Sequence, residues 1–210
     1  MNRRLQRYKM IGTFTTLAFL MLTGIAFTAD QAPKGKDTKT DAMEGMMGAK
    51  ETKAEPKEAK IARAMRAAPL SITQGATIVE MDGTVLRKGS NGWTCLPGTS
   101  LGDQYPMCND EVWSGLMKAL MSKSKFKAEK IGVSYMLAGD APVSNSDPFA
   151  TERKPGDVWV QEGPHLMIAV PDSKMLEGIS TDPNNGGPYV MWKGTPYAHI
   201  MVPVAPRPKN

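Results

Sequence analysis

Between Asp30 and Lys60 the chain reads "DQAPKGKDTKTDAMEGMMGAKETKAEPKEAK", and Met43, Met46 and Met47 are its only sizeable apolar side chains. Ordering one residue costs about 1–2 kcal/mol of backbone entropy, which a stretch this polar has no burial to offset. Residues 30–55 are therefore expected to form a disordered linker. What remains, residues 56–210, has the ordinary length of one domain. "MEGMM" offers thioethers to Cu(I), but the low complexity of the segment accounts for it more simply.

Ahead of the linker, "MNRRLQRYKMIGTFTTLAFLMLTGIAFTAD" places Arg3, Arg4, Arg7 and Lys9 before an uncharged apolar run from Met10 to Ala29. That is the layout of a secretory signal peptide over residues 1–29, with Gly24/Ala26 or Ala26/Thr28 as the small residues that cleavage requires. The run is also long enough to span a bilayer, so the alternative is an uncleaved N-terminal anchor. Either way the protein is expected to be exported, to the periplasm. No other membrane contact is expected.

The formal net charge of +5 does not indicate a nucleic-acid partner, because four of those charges belong to the signal. From Ile61 onward, fifteen Lys and Arg face fourteen acids. A polyanion would find no field to follow.

The domain should open with a helix in "PKEAKIARAMRAAP", begun at Pro56 and stopped by Pro69, with Ile61, Met65 and Ala68 on its docking face. "ATIVEMDGTVLRKG" reads as a β-hairpin whose Asp82-Gly83 pair favours a tight type I′ turn. In "NDEVWSGLMKALMSKSKF", Asn109 or Asp110 can cap a helix, and Trp113, Met117 and Met121, with Leu116 and Leu120, form its core stripe. Strand candidates follow in "KIGVSYMLAG", "VWVQEGPHLMIAVP", "GPYVMWKG" and "PYAHIMVPV", with a short helix or turn at "DSKMLEGI". Hairpins without a βαβ rhythm, plus two or three helices, define an α+β class on a mainly antiparallel sheet.

Cys95 and Cys108 are the only cysteines and enclose twelve residues rich in Pro, Gly, Ser and Asp. In an exported protein such a pair is most simply a disulfide. The rival is a Cys2His2 zinc site completed by His165 and His199, whose spacing fits no compact zinc pattern.

Those two histidines are also the only ones, and each stands two residues before a methionine, in "HLM" and "HIM". Alternate residues of a strand share a face, so His165 points with Met167 and His199 with Met201. On neighbouring strands the four could converge on copper, or supply a His/Met pair to haem iron. The competing reading is that all four are core.

Two loops gather oxygen ligands: Asp140, Asn145 and Asp147, then Asp182, Asn184 and Asn185. Neither follows the order of a calcium-binding EF-hand, and Asp and Asn beside Pro and Gly are ordinary turn formers. Nucleophile-elbow, zinc-protease and phosphate-loop motifs are missing from the sequence. The sequence singles out no carboxylate pair for acid–base work, and a hydrolase reading would look to the loop from Asp140 to Asp147.

Taken together, "GATIVEMDGTVLRKGSNGWTCLPG", "PMCNDEVW", "SYMLAGDAPVSNSDPFA", "GPHLMIAVPD" and "NNGGPYVMWKGTPYAHIMVPV" resemble a family of exported bacterial proteins of unassigned function. The resemblance spans Ile61 to Pro203 and implies export and a shared domain. It brings no activity, cofactor or catalytic residue. The expected protein is a small exported binding or interaction domain without catalysis, with a copper or haem protein and a hydrolase as the alternatives.

Overall fold

The structure, a computed structural model, describes residues 55–100 and 102–209, all within one compact unit, Glu51–Asn210. The signal, Met43, Met46, Met47 and nearly all of the linker lie outside the described residues. No helix among the described residues is long and apolar enough to cross a membrane.

The fold is α+β. Its helices are α1 (Lys57–Ala64), α2 (Leu70–Thr73) and α3 (Glu111–Met121). The first strands are β1 (Thr77–Val79), β2 (Val85–Arg87), β3 (Thr94–Leu96), β4 (Met107–Asn109) and β5 (Gly132–Met136). Then come β6 (Val143–Ser144), β7 (Trp159–Val160), β8 (His165–Ala169), β9 (Tyr189–Met191) and β10 (His199–Pro203). Eight strands form one sheet in the order β2-β1-β3-β4-β5-β8-β10-β9, while β6 and β7 pair separately. Every pairing is antiparallel except β1 with β3.

Alternation along the strands feeds two cores. Cys95 and Cys108 pack with Ile78, Ala64, Ala67 and Ala68 beside α1. Met107, Met136, Met167 and Met201 pack with Trp113 and Leu116 of α3. Asp110 fixes α3 in place: one carboxylate oxygen accepts from the Trp113 amide at 2.8 Å as an N-cap, the other from the Val133 amide of β5 at 2.7 Å.

Four local expectations are corrected. The first helix ends at Ala64, five residues before Pro69. Met121 is exposed because α3 ends there, and the buried face runs through Trp113, Leu116 and Ala119. In the hairpin, Gly83 alone has positive φ (87°), and its amide bonds to the Glu80 carbonyl at 2.9 Å. A type I′ turn needs positive φ at both central residues, so the chain builds a longer loop ending on a left-handed glycine. Finally, "VWVQEGPHLMIAVP" is two strands, β7 and β8, broken at Glu162-Gly163-Pro164.

Candidate functional site

Cys95 and Cys108 stand directly opposite each other on β3 and β4 and form a disulfide. Both are fully buried on the α1 side of the sheet, whereas Met167 and Met201 belong to the α3 side. The thiolates a zinc site needs are thus consumed, and the Cys2His2 reading falls.

His165, Met167, His199 and Met201 do share one buried face. Register separates the histidines. Met201 lies opposite Met167, and His165 lies opposite Pro203, so His199 is four ladder positions from His165. That places their backbones roughly 13 Å apart along the strand. Each ring is held by its own turn: His165 Nδ1 donates to the Gly163 carbonyl at 2.7 Å, and His199 Nδ1 to the Tyr197 carbonyl at 2.9 Å. A carbonyl only accepts, so Nδ1 carries the proton in each neutral ring.

The Nε2 atoms then meet different surroundings. For His199 it faces Met201 Sδ at 3.3 Å, while the ring sits edge-on between Trp113 and Trp192, both 5.0 Å away. Burial pushes the pKa of His199 down to about 4 against the pull of the Tyr197 carbonyl, and a proton on His165 would lower it further. Burial lowers that of His165 as well, and its Nε2 has no hydrogen-bond partner. Among the described residues no three His, Cys, Asp or Glu side chains gather where they could hold a metal. The four side chains do not converge on one copper ion, because the facing pair of Met167 and Met201 stands between the imidazoles, and His199 with Met201, a His/Met pair in contact, is buried.

The loop carboxylates also part company. Asp147 caps its own turn through the Phe149 amide, and the second loop does the same, with Asp182 accepting from Asn184 and Asn185 from Gly187. Asn145 instead reaches across to the Thr181 carbonyl at 3.0 Å and lines a hollow of about 530 Å³ with Asp182, Asn184 and Lys193. Asp140 has other neighbours, Asp103 and Glu162. Desolvation, together with the charges of Asp103 and Glu162 and against the pull of the Ala141 amide, pushes its pKa up to about 7. Asp140 and Asp147 thus have separate partners, and no hydrogen bond joins them among the described residues.

Glu162, absent from the sequence expectations, is the centre of the polar interior. It is 2% exposed, and its Oε1 accepts from the Tyr189 hydroxyl at 2.9 Å and from Arg207 Nη2 and Nε at 2.6 and 3.1 Å. Its Oε2 has no partner. Burial and the neighbouring Glu162 charge raise the pKa of Tyr189. The hydrogen bond to Glu162 raises that of Arg207. The one legible signal was a charged residue interrupting an apolar strand run, since a buried carboxylate requires a cation. Which cation would answer it, 45 residues away, was not readable.

The open feature is a groove of about 910 Å³ at the end of the sheet where β8 finishes and β10 begins. It is bounded by Phe126–Ala128 after α3, by Ala169–Glu177 with the short 3-10 helix Ser173–Leu176, and by the turn from Lys193 to Ala198. None of the histidines or carboxylates nominated from the sequence lines it.

Comparison of the chain with protein-family models, with curated proteins and with solved structures finds no match, so its site has to be read from its own geometry.

Proposed function

We propose that this chain is an exported, periplasmic ligand-binding module with no chemistry of its own, and that the ligand lies in the groove between Phe126–Ala128, Ala169–Glu177 and Lys193–Ala198. One contrast supports the reading. The groups with catalytic potential, His165, His199, Glu162 and Tyr189, are packed away from solvent, and none of the four lines the open groove.

Two measurements test it. Residues 1–29 fused to a phosphatase that is active only outside the cytoplasm should yield activity, and silence would remove export. A small-molecule fragment mixture added to isotope-labelled protein should shift the amides of Ser173, Gly194 and Ala198. A hydrolytic turnover that disappears on changing a polar residue of the domain would replace the binding reading with an enzymatic one.

A further inference from the structure

We infer that the groove takes a short peptide with both ends free, a zwitterion with a body of small apolar side chains. The inference rests on the binding reading above and specifies its ligand. Two cations, Lys127 and Lys193, border the groove from separate segments, and two carboxylates, Asp172 and Glu177, border it from a third. All four are exposed, and none takes part in a salt bridge among the described residues. Asp172 spends one oxygen on the Lys174 amide at 2.9 Å. Charges of both signs thus surround one hollow without neutralising each other, which is the pattern complementary to a ligand carrying both an ammonium and a carboxylate.

Between the charges the lining mixes polar turn residues, Ser173, Gly194 and Thr195, with small apolar ones. Ala128, Ala169 and Ala198 contribute methyl groups from three segments, and Ala128 and Ala169, like Leu176, are buried. Such a mixed lining offers hydrogen-bonding groups to a peptide backbone and apolar contact to methyl-sized side chains. The paired carboxylates oppose a polyanion such as nucleic acid. Lys193 also borders the adjoining hollow of Asn145, Asp182 and Asn184, so the two depressions meet at one ammonium, and that is the natural position for the ligand carboxylate.

The test titrates the purified protein with tetra-alanine in three forms: free at both ends, acetylated at the amino end, and amidated at the carboxyl end. Amide shifts at Ser173, Gly194 and Ala198 are expected with the free peptide. Blocking either end should weaken binding about tenfold, the scale of one lost charged contact. Lys193→Glu should erase the preference for a free carboxylate, and Glu177→Lys the preference for a free amine. Equal binding of the blocked peptides, or shifts confined to another surface, would overturn the inference. If the fragment mixture fills the groove and tetra-alanine does not, the ligand assignment fails and the binding reading stands. If neither shifts those amides, both fail.

Discussion

Arg207 closes on Glu162 from outside the sheet, with Nη2 2.6 Å from a carboxylate that is 2% exposed. The same guanidinium donates to the Asn184 side chain at 2.8 Å and to the Pro183 carbonyl at 2.5 Å. One side chain thereby ties the C-terminal tail, the loop before β9 and the break between β7 and β8 into a single polar joint. Arg207→Met should destabilise the protein by about 2 kcal/mol in urea denaturation. The figure is below the 3–5 kcal/mol typical of a fully buried pair because Arg207 is 31% exposed and water can reach the vacated place. Glu162→Gln combined with Arg207→Met should recover part of the loss, since no unpaired charge is then left inside.

Gly163 makes this joint possible. A Cβ at that position would lie 2.2 Å from the Pro206 carbonyl oxygen, a backbone atom that cannot swing aside. Gly163→Ala should therefore lift the tail. Hydrogen exchange at the Val204 amide, which bonds to the Pro164 carbonyl at 2.9 Å, should accelerate, and the loss of stability should not add to that of Arg207→Met.

Asp140 gives the protein a stability that falls as pH rises. Its folded pKa stands near 7, above its ordinary carboxylate value, so its contribution is complete below pH ~4 and is lost on the way through about 7. Asp140→Asn should remove that slope. Melting temperatures between pH 5 and pH 8 should decline in the native protein more than in the variant, and parallel profiles would sink the assignment.

The cross-strand disulfide closes a thirteen-residue separation at the point where α1, β3 and β4 share a core. Replacing Cys95 and Cys108 together by alanine should cost about 3 kcal/mol in chemical denaturation, the chain-entropy value for a loop of this length. With both residues fully buried, reductant should act on the native protein only at the rate at which it opens.

Local pattern carried the fold, and distance in sequence concealed the site. The alternation in "HLMIA", the cap at Asp110 and the cysteine pair each declare themselves within a few residues, and each is present in the structure. β6 was invisible and β7 was merged with β8, because strands of two residues are too short for a period to register. Met121 obeyed the helical period but lay at the end of α3, where nothing covers it. The His-x-Met echo correctly placed four side chains on one face. It could not supply the register, and a register that sets His165 against Pro203 is what keeps the imidazoles apart. Glu162 with Arg207, and the three segments of the groove, are assembled only by tertiary folding.

His199 should behave as a buried neutral hydrogen-bond donor. Its ring lies between Trp113 and Trp192, Nδ1 donates to the Tyr197 carbonyl, and burial holds its pKa near 4. A histidine with a depressed folded pKa contributes stability that is complete above about 6.5 and drains away as pH falls towards 4, because the unfolded chain takes up the proton that the folded one refuses. His199→Leu keeps the apolar packing but leaves the Tyr197 carbonyl unpaired, at a cost of about 1–2 kcal/mol near neutrality. The variant has no proton to take up at that site, so its deficit against the native protein should shrink as pH falls from 6.5 to 4. Urea denaturation of both proteins across that window measures the gap. A deficit that stays constant would mean that His199 is protonated in the folded state, and would contradict the neutral ring described for the α3 core.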